Sequence, residues 1–297
     1  PGRLGGQLSA RARPERLEAL VRRFAGERHP ETSPDALERA QERVAAGLET
    51  AGCRVRWSPF RYRGRVRHNV VGERGEDATG PAVLVGAHVD TVPGTPGADD
   101  NASGLAVLLE VAHLLSAEAF SAPLEFVAFD LEEPQGTDYA VGSDRYAGRA
   151  YREGREYRAC LVLEMVGYTD AAPGTQSVPP LLFWKDFPDA GTFLAAVGDW
   201  RSRRLVDVYL RTARSAVPEL PVVGFRSPFR GWLGPPSRLS DNRRFWDRGY
   251  PALMLTDTAF LRNPHYHGPG DRPETLDYGF MARVADATAA AVRSLAL

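Results

Sequence analysis

Short, unbroken apolar runs that alternate with amphipathic stretches constrain this chain more than any other feature. "PAVLVGAH", "PLEFVAFD" and "ACLVLEMVGY" begin at Pro81, Pro123 and Ala159. Each reads as a strand covered on both faces. Between the first two lies "NASGLAVLLEVAHLLS", which reads as a helix. Strands alternating with helices predict an α/β fold, a three-layer α/β/α sandwich around a mixed, largely parallel sheet.

The flanking segments fill in this plan. "PERLEALVRRFAG" and "SPDALERAQERVAAGLETAG" carry apolar residues at three- and four-residue spacing and predict two helices. "CRVRWSPFRYRG" and "VRHNVVGER" alternate like an antiparallel ribbon. After Gly191 the pattern predicts two helices and then the strand "LPVVGF". "DNRRFWDRG" leads to the strand "PALMLTDT", and a last helix covers Leu276 to Leu297. The chain of 297 residues shows no repeat and no linker-like break in composition, so a single domain is expected. Pro/Gly-rich loop insertions are expected near 171–188 and 226–238.

Composition narrows the partners. The net charge of −1 offers no attraction for nucleic acid or an anionic membrane, and the basic residues, nearly all Arg, are scattered. No apolar run approaches the roughly 20 residues of a membrane span. Cys53 and Cys160 form no CxxC pair, so a thiolate zinc site is not expected and two buried free thiols are. No leader pattern is present, and the first residue is Pro1. A soluble protein is expected, either cytoplasmic or secreted after removal of a leader.

The polar residues fall where open α/β sheets bind ligands, beyond the carboxyl ends of strands. His88 and Asp90 end one strand; Asp130, Glu132 and Glu133 end the next; Glu164 lies near the end of the third. Asp257, His265 and His267 follow the last, and Asp99 and Asp100 precede a helix. Singly, each has an ordinary explanation as a cap, a solvated acid or a satisfied core histidine. Glu164 is the exception, because its neighbours are Leu161, Val162, Leu163, Met165 and Val166, and a buried carboxylate needs a partner. Together the residues form a set of carboxylate and imidazole donors without thiolate, which suits catalytic Zn²⁺. Five donors exceed one tetrahedral ion with its water, whereas two ions sharing a carboxylate would use them all.

The segments "GAHVD", "GADDNASG", "DLEE", "LEMVGY", "SDN" and "NPHYHGPGD" occur in this order. With them the chain resembles the zinc-dependent aminopeptidases of peptidase family M28, from about Val83 to Asp277. The resemblance implies two zinc ions. It makes His88, Asp99, Glu133, Glu164 and His267 the metal ligands, with Asp99 shared between the ions. It makes Glu132 the general base and Asp90 the group behind the His88 ring. Asp100, Asp241 and His265 would support the ligands or touch substrate, and a cis peptide is expected between Asp99 and Asp100.

The sequence also departs from the family pattern. Glu164 stands where Asp is frequent, Asn242 where the pattern has His, and "EEPQGTDYAVGS" is a stretched form of a shorter segment. The expected partners are peptides with a free N-terminus, and Phe183, Trp184, Phe229 and Trp232 are candidate pocket walls. Two rival readings stand beside the aminopeptidase. A single-zinc glutaminyl cyclase-like acyltransferase is disfavoured because His88 and Glu164 can both hold a further ion. A non-catalytic metal-binding protein is disfavoured because Glu132 occupies the base position without a ligand role.

Overall fold

The computed structural model describes residues 11–75, 78–134, 136–178, 187–232 and 234–297. Eight strands form one mixed sheet: β1 (Arg54–Tyr62), β2 (Arg65–Arg74), β3 (Ala82–His88), β4 (Leu124–Phe129), β5 (Tyr157–Leu163), β6 (Leu194–Asp199), β7 (Val222–Ser227) and β8 (Ala252–Thr256). Their order across the sheet is β1-β2-β4-β3-β5-β8-β6-β7. β4, β3, β5 and β8 run parallel in the centre. The ribbon β1–β2 joins antiparallel to β4, and the parallel pair β6–β7 joins antiparallel through β8.

Helices cover both faces. α1 (Pro14–Phe24), α2 (Pro34–Thr50), α3 (Gly104–Leu114), α5 (Arg203–Ala216) and α7 (Tyr278–Ala296) share one core with one side of the sheet. α4 (Val141–Arg152) and α6 (Asn242–Asp247) pack on the other side around Phe129, Tyr157, Phe245 and Trp246. β3, β4 and β8 are buried along their whole length, as strands covered on both faces are, and the one acid inside them, Glu125 of β4, accepts from the Tyr146 and Tyr157 hydroxyls. Both cysteines are free and buried. No helix among the described residues is long and apolar enough to cross a membrane.

One element differs from expectation. The first of the two helices expected after Gly191 is the strand β6, and only the second, α5, is helical. The run Phe193–Val197 is uniformly buried. Periodicity alone cannot tell a short buried strand from a piece of buried helix, and here pairing to both β7 and β8 decides it.

Candidate metal centre

The centre is assembled where the parallel strands end. His88 is the last residue of β3 and is fully buried. Its Nε2 lies 3.1 Å from Asp100 Oδ1 and 3.6 Å from Glu164 Oε2. On the far side, Asp100 Oδ2 is 3.1 Å from His267 Nε2, which is 3.4 Å from Glu133 Oε2. Asp100 thus faces two imidazoles, one through each oxygen. Two donor triads share Asp100, His88–Asp100–Glu164 and Asp100–Glu133–His267, and a third group, His88–Glu132–Glu133, shares His88 and Glu133 with them.

This donor set fits divalent metal. Ligands about 2.0–2.1 Å from a tetrahedral ion lie roughly 3.3 Å from one another, and the four separations above bracket that value. His88 Nε2 and Asp100 Oδ1 are buried and make no hydrogen bond of acceptable geometry despite their closeness. Two such atoms aimed at a common point leave an unmet demand that a cation would satisfy. Burial works against charge on His88 and His267, but the surrounding carboxylates outweigh it, raising His88 well above its ordinary range and His267 to about 10. Burial also opposes ionisation of Asp100, yet its two imidazole partners hold its pKa below the usual range.

The carboxylate between the two imidazoles is that of Asp100, where Asp99 was expected. Asp99 turns away. Its Oδ1 accepts from the Gly167 amide at 2.9 Å and its Oδ2 from Asn263 Nδ2 at 2.7 Å. Burial and the neighbouring Asp257 raise its pKa well above the ordinary range, so it favours the neutral form. Asp271 holds the pair, its two oxygens accepting the backbone amides of Asp99 at 2.7 Å and Asp100 at 3.1 Å. The cis peptide likewise falls one residue later than expected, between Asp100 and Asn101. Gly97 opens this turn with φ +58°, and a Cβ there would collide with Thr91 and the Asp100 carbonyl.

Glu132 and Glu133 leave β4 together and part company at once. Asp90 accepts both of their backbone amides, at 3.0 Å each, one per oxygen. Its carboxylate stays 3.7 Å from His88 Nδ1, which is nearer to the Asp90 carbonyl at 3.2 Å. Glu133 reaches His267. Glu132 lies near His88, with its Oε1 buried and without a hydrogen bond. Burial raises Glu132 well above the ordinary carboxylate range; His88 opposes this, and Glu164 and Glu133 reinforce it. Burial, with Asp100 nearby, lifts Glu133 to about 8.

The remaining expected residues flank this cluster. Asp241 is fully buried beside Ser143, and burial lifts its pKa to about 7. Ser240 donates to Glu164 Oε2 at 2.6 Å. Asn242 is buried and donates to the Ser237 carbonyl. His265 belongs to neither triad; its ring packs edge-on to Tyr168, 6.2 Å between centroids. Sequence reasoning missed Arg28, whose buried guanidinium donates to the carbonyls of Phe24, Gly26, Val89, Pro96 and Gly97 and so ties the segment after β3 to the start of the chain. Burial lowers its pKa to about 10. Nothing local in the sequence marks it out.

Beside Glu164 and Ser240 opens a cavity of about 330 Å³. Phe193, Val197, Phe225 and Met254 supply apolar wall, and Phe260 and Tyr266 belong to its lining. Phe229 and Trp232 do not line it and are 71% and 68% exposed. Phe183 and Trp184 lie outside the described residues.

Comparison with known proteins agrees with this architecture. The model of "Peptidase family M28" matches residues 69–292. The chain is 36% identical to the uncharacterized protein YfbL of Escherichia coli K12, over 93% of this chain and 86% of that protein. It is 25% identical to leucine aminopeptidase 1 of Trichoderma harzianum over 73% of this chain, but spans only 52% of that relative. Among solved structures, LapA of Legionella pneumophila aligns with a TM-score of 0.77 at 20% identity, covering 96% of this chain and 73% of the other. Glutaminyl cyclase of Porphyromonas gingivalis aligns with a TM-score of 0.74 at 19% identity, covering 96% and 99%. Those two likenesses are of fold. Sequence and fold together establish that the chain belongs to peptidase family M28.

Proposed function

We propose that this protein is a metal-dependent aminopeptidase. One ion would be held by His88, Asp100 and Glu164, the other by Asp100, Glu133 and His267. The observation that carries the reading is Asp100 between two imidazoles, with a buried, unbonded oxygen of Glu132 near His88 and an apolar cavity beside Glu164. Divalent ions bound there supply a lowered pKa for the attacking water and polarisation of the scissile carbonyl.

The chain's own residues divide the remaining work. Glu132 accepts the proton of the attacking water at its free oxygen and returns it to the leaving amine nitrogen. Asp90 fixes the backbone from which Glu132 and Glu133 diverge. The acidic surroundings favour a substrate with a free ammonium, which supports removal of single N-terminal residues. Glu164 borders both the metal triad and the cavity, so the cavity is the natural place for the N-terminal side chain. At about 330 Å³ it is roughly twice a cavity that holds benzene, which suits large apolar side chains.

The test is a panel of aminoacyl p-nitroanilides, each with a free or acetylated N-terminus, assayed with zinc or cobalt present. Turnover restricted to free-amine substrates and fastest for Leu, Phe or Met is expected. Equal turnover of acetylated substrates, or none of any substrate by metal-loaded protein, refutes the reading. Cyclisation of N-terminal Gln by protein carrying one ion would replace it with the glutaminyl cyclase reading.

A further inference from the structure

Four arginines lie on or beside α6, and three of them have carboxylate partners. Arg238 pairs with Asp247 at 2.8 Å, and Arg244 and Arg248 reach Asp144 at 3.6 and 2.8 Å. Arg243 has no carboxylate within ion-pair distance among the described residues, and its Nε is buried without a hydrogen bond. Its guanidinium lies 3.5 Å from the centre of the Tyr139 ring, and one terminal nitrogen bonds the Tyr139 hydroxyl. A half-buried cation held against an aromatic face, with Asp247 and Glu132 nearby but no carboxylate in ion-pair contact, has room for one.

Its position says what could complete it. The Ala140 amide donates to the Glu132 carbonyl at 2.7 Å, so Tyr139 stands beside the segment that carries the base. Ser240, three residues before Arg243, bonds Glu164. Arg243 therefore stands close enough to Glu132 for the two charges to interact, and it is absent from the lining of the apolar cavity beside Glu164. If the N-terminal side chain fills that cavity, the leaving half of the substrate points toward Glu132. The next residue extends only about 3.3–3.6 Å along the chain. In a dipeptide that residue ends in a carboxylate; in a longer peptide a neutral amide takes its place.

Resting on the aminopeptidase reading, we infer that Arg243, backed by Tyr139, receives the terminal carboxylate of the leaving residue, so that the preferred substrates are dipeptides. Guanidinium and carboxylate form charge-assisted, often bidentate bonds that an amide cannot reproduce.

The experiment compares Leu-Leu with Leu-Leu-amide in the zinc-loaded wild type, R243K and R243M. The wild type should favour the free acid by tenfold or more in kcat/KM, mostly through KM, the order expected for one hydrogen bond to a charged group (~10-fold or more). R243M should bring the acid-to-amide ratio near one, and R243K should keep part of the preference. A wild-type ratio near one, or an unchanged ratio in R243M, overturns the inference while leaving the peptidase reading intact. So does an equal loss on both substrates with a lowered Tm, since that describes a structural arginine. If the wild type hydrolyses neither, the peptidase reading fails first. Calorimetric titration of both ligands into E132Q, with and without R243M, then still decides whether Arg243 distinguishes carboxylate from amide.

Discussion

Exchanging Asp99 and Asp100 for Asn, one at a time, tests the centre where sequence and structure part company. Asp100→Asn keeps the shape but replaces one oxygen by an amide nitrogen that cannot ligate. The carboxylate faces His88 and His267 at 3.1 Å each, so both triads are damaged by one change. Losing a charged contact costs about 1.5–3 kcal/mol. Two such losses amount to about 3–6 kcal/mol, or roughly a 10²–10⁴-fold fall in metal affinity. Asp99→Asn should behave otherwise. Asp99 is buried, favours its neutral form and accepts from Gly167 and Asn263. An amide can retain one of these bonds and must turn a donor toward the other partner. The expected result is a stability loss of about 1–3 kcal/mol, with metal affinity changed by no more than the ~10–100-fold typical of groups behind ligands. Competition against a chromophoric chelator gives the affinities, and thermal unfolding of the metal-free proteins gives the stabilities. If Asp99→Asn releases metal while Asp100→Asn retains two equivalents, the assignment of the shared carboxylate to Asp100 is wrong.

The other predictions follow from the same geometry. Glu132→Gln should keep metal and fold but lower kcat by about 10²–10⁴-fold, whereas Glu133→Gln should lose metal and recover partly at high zinc; unchanged kcat in the former removes Glu132 from the base role. Wild-type protein should bind two zinc equivalents and lose activity to chelators, with recovery on adding Zn²⁺ or Co²⁺; one equivalent at full activity contradicts the shared-carboxylate reading. Burial raises Glu133 to about 8 and Asp241 and Asp271 to about 7, so between roughly pH 4.5 and 8 the folded metal-free chain binds protons that the unfolded chain releases. Its Tm should therefore fall as pH rises from 5.5 to 8.5, and zinc should stabilise more at the upper value; a flat or rising metal-free Tm refutes this. Asp90→Asn should lower kcat measured at saturating zinc, and Asp271→Asn should chiefly weaken metal binding; the opposite division would show that neither residue acts through the acidic pair it touches.

Much of the fold was legible because burial writes itself into composition. β3, β4 and β8 are mostly apolar, are buried from end to end and lie in the middle of the sheet. β6 was not, since Leu194–Val197 contains two alanines that suit a helix equally well, and only its two neighbours in the sheet make it a strand. Glu164 was legible for a related reason: a carboxylate at the end of a buried strand must be answered by a partner. His88, Glu133 and His267 were singled out by the family resemblance. Asp99 and Asp100 are identical and adjacent, so no local signal tells them apart. What does is a carboxylate 172 positions away in sequence. Arg243 is one arginine in an arginine-rich chain, and it becomes distinct only when its neighbours prove to be paired.

The centre repeats one device. Two acidic pairs enter it, Asp99–Asp100 and Glu132–Glu133. Each has both backbone amides gripped by a single buried carboxylate, Asp271 for the first and Asp90 for the second. A carboxylate that accepts two successive amides fixes the orientation of that dipeptide, and with it the direction each side chain takes. In the first pair Asp100 faces the imidazoles and Asp99 faces Gly167 and Asn263. In the second, Glu133 faces His267 while the Glu132 oxygen stays unbonded beside His88. Chemically identical neighbours thus acquire different environments, and so different proton affinities, without any difference in residue type. Both gripping carboxylates are buried and lie on segments that reach the centre independently, one just after β3 and the other just before α7. The division of labour within each acidic pair is therefore a property of the assembled fold, and no isolated segment carries it.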